Sequence, residues 1–131
     1  GALSRAPVTT TDLYPTLLEM AGSRAGGRPL DGASITPLLG GAAARRARRL
    51  YWHYPLAKPH FLGGRSSGAI RDGDWKLIEF FDNGTAELYN LRDDPAEERD
   101  RAAAEPARVR RLRAELARWR KETTATAPRF E

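Results

Sequence analysis

No cysteine occurs in the 131 residues. Disulfides, thiolate metal sites and a cysteine nucleophile are therefore excluded within them. No apolar run approaches the roughly 20 residues that cross a bilayer as a helix. The opening Gly1-Ala2-Leu3-Ser4-Arg5 lacks the apolar stretch of a signal peptide. Low-complexity tracts are also missing. What remains is ordinary: 40% hydrophobic and 30% charged residues, the composition of a folded chain. The length suits one domain. The net charge of +5 comes from 22 basic and 17 acidic residues. Such an excess attracts anionic polymers, but the close mixture of signs also describes a solvated surface.

Residues 12–21 read as a short helix. Asp12 is placed to cap it, and Pro15 falls in the first turn, where its missing N–H is tolerated. Leu13, Leu17 and Met20 share one face. Residues 22–34 are rich in glycine and turn formers and form a loop. Residues 42–49 hold only alanine and arginine, helix or linker.

Aromatic content rises at Leu50. Leu50-Tyr51-Trp52-His53-Tyr54 reads as a strand ended by Pro55. A loop over residues 55–68 carries Lys58, His60 and Arg65. Asp72-Gly73 and Asn83-Gly84 are tight-turn signals, and Asn-Gly favours a type I′ hairpin. Between them, residues 75–81 form the clearest strand, and Glu87 to Leu91 return. Trp75, Leu77 and Phe81 point one way, Ile78 and Phe80 the other. Both faces of the sheet therefore need cover. Residues 106–121 supply one cover, a helix with Val109, Leu112, Leu116 and Trp119 in a stripe. The expected fold is α+β, a small antiparallel sheet of about four strands with a packed C-terminal helix, preceded by a helix-and-loop segment.

Four segments carry a resemblance: Asp12-Leu13-Tyr14-Pro15-Thr16-Leu17-Leu18-Glu19-Met20-Ala21-Gly22; Leu30-Asp31-Gly32-Ala33-Ser34 with Pro37-Leu38-Leu39; Tyr51-Trp52-His53-Tyr54-Pro55 through Ala69-Ile70-Arg71-Asp72-Gly73-Asp74-Trp75-Lys76-Leu77-Ile78; and Glu87-Leu88-Tyr89-Asn90-Leu91 with Asp94-Pro95-Ala96-Glu97. In this order the chain resembles the C-terminal region of the type I sulfatases, the arylsulfatase-like branch of the alkaline phosphatase superfamily. Asp100-Arg101 departs from the family's usual polar residue followed by leucine. The resemblance implies that residues 1–49 are the tail end of an α/β catalytic domain, that 50–122 are a C-terminal subdomain and that 123–131 are an extended tail. It implies a truncated piece of a larger enzyme whose missing N-terminal domain is its partner. The substrate would be a sulfated small molecule or glycan, with no nucleic acid or membrane as partner. A periplasmic or secreted setting is implied for the intact enzyme.

The same resemblance implies a formylglycine nucleophile, made in a Cys/Ser-x-Pro-x-Arg motif, and a calcium ion held by Asp and Asn side chains. This sequence has no such motif. In Ser34-Ile35-Thr36-Pro37 the proline is one place late and no arginine follows. Asp82-Asn83-Gly84 looks like a metal pair but sits between two strands, as a turn would. Asp93-Asp94 with Glu97-Glu98 reads as turn and cap residues. No catalytic residue and no metal ligand is expected here, and no cofactor is expected to bind these residues. His53, Lys58, His60 and Arg65 are candidate contacts at a substrate-pocket rim, because loops carry binding residues. Trp52, Trp75 and Trp119 are expected in the core.

Two readings follow. One is a structural portion of a sulfatase without catalysis of its own. The other is a stand-alone basic module for anionic polymers, using Arg45, Arg46, Arg48, Arg49 and the arginine-rich helix over 108–120.

Overall fold

The structure is a computed structural model that describes residues 3–24, 26–27, 29–42, 48–58 and 64–128. Arg45, Arg46 and His60 lie outside the described residues. The chain divides into two compact units, Gly1–Ala47 and Arg48–Glu131. Among the described residues no helix is long and apolar enough to cross a membrane.

In the first unit a 3-10 turn, Thr10–Asp12, runs into helix α1, Leu13–Met20. Asp12 does not act as a simple N-cap. It is itself helical, and its carboxylate reaches backwards, accepting the N–H of Thr9 at 2.8 Å. Its other oxygen accepts the N–H of Ala33 at 2.9 Å. Thr16 extends the same clamp, donating to the carbonyl of Asp12 at 2.6 Å and accepting the N–H of Ile35 at 3.0 Å. Loop residues 31–35 are thereby tied to α1. The loop also passes very close to the 3-10 turn. A Cβ on Gly32 would lie 1.9 Å from the carbonyl oxygen of Thr11, so only glycine fits. A one-turn helix α2, Thr36–Leu39, follows.

The buried residues of this unit, among those described, are the polar Asp12 and Thr16; it buries no apolar side chain. Leu13, Tyr14, Leu17 and Met20 are instead more than half exposed. A stripe of this kind on a helix ordinarily faces a core.

The second unit is a four-stranded antiparallel sheet, in the order β1-β2-β3-β4: Leu50–Tyr54, Ser67–Asp72, Trp75–Phe80 and Ala86–Asn90. Both short connections are true hairpins. Asp72 pairs with Trp75 across a two-residue loop in which Gly73 has φ of 64°. The Asn83-Gly84 connection differs from the expected type I′ turn. Only Gly84 has positive φ, 68°, whereas type I′ requires it at both central residues. Phe80 and Thr85 close a longer loop, with Gly84 N–H donating to the carbonyl of Phe80 at 2.9 Å. The Asn83 side-chain oxygen accepts from the N–H and hydroxyl of Thr85, a local side-chain turn.

Helix α3, Pro106–Glu122, crosses one face of this sheet. Leu112 and Leu116 meet Ile70, Leu77 and Leu88, and all five are fully buried. Tyr51, Trp75, Val109 and Trp119 pack around them, and the Tyr51 and Trp119 rings stack at 4.9 Å. Among the described residues, no helix of this unit lies on the opposite sheet face. Strand register places Trp52, Ala69 and Ile78 in one row there, and Tyr54, Ser67 and Phe80 in the next. Trp52 is 43% exposed. It is not a core residue, unlike Trp75 and Trp119, because it sits on the face that α3 does not cover.

Candidate functional site

The four candidate rim residues do not converge in one described site. His53 lies in β1 on the α3 side. Its Nε2 is 3.0 Å from the carbonyl of Thr126, and its ring packs on Phe81 at 5.4 Å. Arg65 is engaged within its own unit. It donates twice to Asp82, at 3.0 and 2.7 Å, and its guanidinium lies 3.9 Å over the Phe80 ring. This pairing raises the Arg65 pKa and holds the Asp82 carboxyl below its ordinary range. Lys58 is exposed and makes no side-chain bond to a described residue. His60 lies outside the described residues.

The acidic lookalikes are filled by the chain itself. Asp94 is buried and accepts the N–H groups of Arg99 at 2.9 Å and Glu98 at 3.2 Å. Those bonds, Arg99 first, hold its pKa down. Glu97 has φ of 59° and pairs with Lys76 at 2.7 and 2.8 Å. The side-chain oxygen of Asn83 is taken by Thr85. Among the described residues, no group of three or more His, Cys, Asp or Glu side chains could hold a metal ion. These residues do not fit a calcium site, and no catalytic step is assigned to one.

The basic face expected on α3 is engaged as well. Arg49 and Arg111 share Asp72, and Arg49 and Arg118 share Glu115. Arg113 donates to Glu79 Oε1 at 3.1 Å and also to the carbonyl of Gly84. Arg120 Nη2 lies 2.8 Å from Glu79 Oε2, an ion pair without hydrogen-bond alignment, and its guanidinium sits over Phe81. Arg108 lies 4.2 Å over the Trp75 ring. Cations tied down in this way stitch the helix to the sheet and, among the described residues, leave no continuous free basic stripe for a polymer. Sequence reading missed these links because Asp72–Arg111 and Glu79–Arg113 join residues far apart in the chain.

The model of the family "N-sulphoglucosamine sulphohydrolase, C-terminal" matches residues 2–122, and the chain belongs to that family. Arylsulfatase K of Danio rerio is 33% identical over an alignment of 106 residues that covers 76% of this chain and 19% of the relative. A sulfatase of Formosa agariphila is 32% identical over an alignment of 108 residues that covers 76% of this chain and 20% of the relative. Among solved structures, BT4656 in complex with its substrate D-glucosamine-2-N,6-O-disulfate superposes with a TM-score of 0.69 at 27% identity. That match covers 89% of this chain and 24% of the other. The chain thus spans about a fifth of the length of the curated relatives it matches.

Proposed function

We propose that these residues form the structural C-terminal portion of a hydrolase of sulfate esters and contribute no group to bond cleavage. The observation that carries this reading is the first unit. It buries no apolar side chain among the described residues, yet it exposes Leu13, Tyr14, Leu17 and Met20. Such a stripe is stable only against a further surface. The occupant we propose is the catalytic domain of a sulfatase, the part of the relatives that this chain does not match. The formylglycine and calcium chemistry would belong to that domain. The substrate class is a sulfated small molecule or sulfated glycan, in line with the disulfated glucosamine bound by BT4656. Of the rim candidates, Lys58 and its neighbour His60 are proposed to reach substrate. His53 and Arg65 serve the fold through Phe81, Thr126 and Asp82.

An exchange experiment tests this. In the Formosa agariphila sulfatase the matching segment is replaced by this chain, and turnover of an aryl sulfate is compared with that of the enzyme lacking the segment. Recovered turnover is expected, and Leu17→Asp in the graft should abolish it. A graft that folds but leaves turnover at the level of the deletion would overturn the reading.

A further inference from the structure

The two edges of the sheet differ. At the β4 edge the chain closes itself off. The Leu88 N–H donates to the Asp100 carboxylate at 2.9 Å, and the Leu88 carbonyl accepts the Arg101 N–H at 2.8 Å. The Asn90 carbonyl is taken by the Asp94 N–H at 2.9 Å. These bonds also fix which way each backbone group faces. Leu88 turns outward, so Glu87 and Tyr89 bond to β3. Carried across the register, the alternation bonds Leu50, Trp52 and Tyr54 to β2 and turns the N–H and C=O groups of Tyr51 and His53 outward. The bond from the Phe81 N–H to the Ser66 carbonyl, 2.9 Å, obeys the same alternation.

Among the described residues, nothing bonds to those outward groups of β1. The tail meets His53 at its ring, through the Thr126 carbonyl, and not at its backbone. β1 also lacks the devices that blunt an edge strand. Leu50–Tyr54 holds no lysine, no acid and no proline. All five residues keep register with β2, so no bulge twists the edge away. An open edge of this kind is a template for one more strand.

We propose that the open edge of β1 pairs with the same edge of a second copy of this chain, antiparallel and centred on Trp52. The free groups are self-complementary about that residue. A twofold axis through Trp52 sets Tyr51 opposite the second copy's His53, and each N–H then donates to the other's C=O, on both sides of the axis. Trp52 meets the second copy's Trp52 in the closer, non-hydrogen-bonded position, and Leu50 meets Tyr54. The exposed Trp52 and Tyr54 thereby gain apolar cross-strand mates. Charge favours this occupant as well. The arginines at 48 and 49 fall opposite Leu56 and Pro55 of the second copy, so the cations lie at opposite ends of the pair. A strand of unrelated sequence would use the same backbone groups without the Trp52 pair or this separation of charge. A contact one short strand long belongs to the small, reversible class of interfaces. The proposal does not rest on the sulfatase reading.

The test follows the whole chain over a concentration series, by sedimentation equilibrium and by amide hydrogen exchange. A monomer–dimer equilibrium is expected. Exchange at Tyr51 and His53 should slow on the order of tenfold at the concentrated end, as newly bonded amides do, while Trp52, already bonded to β2, keeps its rate. Trp52→Lys sets like charges directly opposite each other and should leave only monomer. Leu17→Asp, on α1, should leave the dimer unchanged. Trp52→Cys gives a chain with a single cysteine. In the pair its Cα lies about 4.5 Å from that of its mate, within disulfide reach. Oxidised glutathione should therefore link it into a dimer at least tenfold faster than Ala114→Cys, which is exposed on α3. The proposal is overturned by a monomer at every concentration, by unslowed exchange at Tyr51 and His53, or by equal crosslinking of the two cysteine variants. Association that survives Trp52→Lys but is lost in Leu17→Asp would assign it to α1 and overturn it equally.

Discussion

The carboxylate of Asp12 accepts the backbone N–H of Ala33 at 2.9 Å, across 21 residues of chain. That bond joins two of the four segments by which the sequence resembles a sulfatase. Asp12 belongs to the first and Ala33 to the second, and Gly32 beside it fits only because it has no Cβ. The motif residues here form a clamp between helix and loop.

Removal of the clamp should be felt locally. Asp12→Ala leaves the N–H groups of Thr9 and Ala33 without their acceptor, at a cost of about 1–3 kcal/mol for partners left unpaired. Hydrogen exchange at Ala33 and Ile35 should accelerate at least tenfold, while amides of β3 keep their protection. Gly32→Ala should do the same, because its Cβ would meet the Thr11 carbonyl at 1.9 Å. Unchanged exchange at Ala33 in both variants would show that the loop is held by something else.

The β3–β4 hairpin gives a second test. Gly84 sits at φ of 68°, and a Cβ added there would find nothing within 4 Å, so a substitution meets strain and not a clash. Gly84→Val should lower stability by about 1 kcal/mol or more, because a β-branched residue is disfavoured at positive φ. The urea midpoint is the readout, and an unmoved midpoint would contradict the turn geometry.

Local signals made much of this fold legible. The Asn-Gly turn, the apolar and aromatic run of residues 75–81 and the stripe of Val109, Leu112, Leu116 and Trp119 each depend on neighbours in sequence, and each element formed near its expected place. The turn type was not legible, because Asn-Gly alone does not reveal that Phe80 pairs with Thr85 across a longer loop. Asp12 was read as a cap from its position, whereas its partner Ala33 lies beyond the helix. The arginines of α3 looked like a free basic face because Asp72, Glu79 and Glu115 come alongside them only in the folded sheet. Trp52 looked like Trp75 in sequence. Only its strand register puts it on the face without a helix. Of the four rim candidates, the fold shows what holds His53 and Arg65, which sequence spacing could not.

Extremes of pH should weaken the second unit from both ends. The Asp72 carboxyl is held below its ordinary range, first by the hydrogen bond from Arg111 and then by the charges of Arg49 and Arg111. A lowered acid pKa gives stability that is present above the unfolded value of about 4 and is lost as pH falls through the folded value. Asp72→Asn should flatten that acid limb. Tyr89 moves the other way. Burial, with the bond to Glu87, pushes its hydroxyl up to about 12. Its contribution is complete below about pH 10 and is lost as pH rises toward 12. Tyr89→Phe should lessen the alkaline loss. Thermal melts from pH 2.5 to 11.5 read both limbs, and identical profiles for wild type and variants would contradict the assignments.

The core should respond as a single layer between sheet and helix. Leu116 is fully buried against Ile70, Leu77 and Leu88. Leu116→Ala should cost about 2–5 kcal/mol, the range for a buried leucine that leaves a cavity. Leu17→Ala, on an exposed face, should leave the isolated chain within about 0.5 kcal/mol of wild type. Urea denaturation compares the two. Equal costs would mean that α1 is packed in solution.

The most direct test of the central claim is turnover by the purified chain itself, with a chromogenic aryl sulfate and calcium present. The absence of a Cys/Ser-x-Pro-x-Arg motif predicts a rate indistinguishable from the protein-free blank. Turnover that copurifies with the chain and falls on Lys58→Ala or Arg71→Gln would place catalytic groups within these residues and contradict the account.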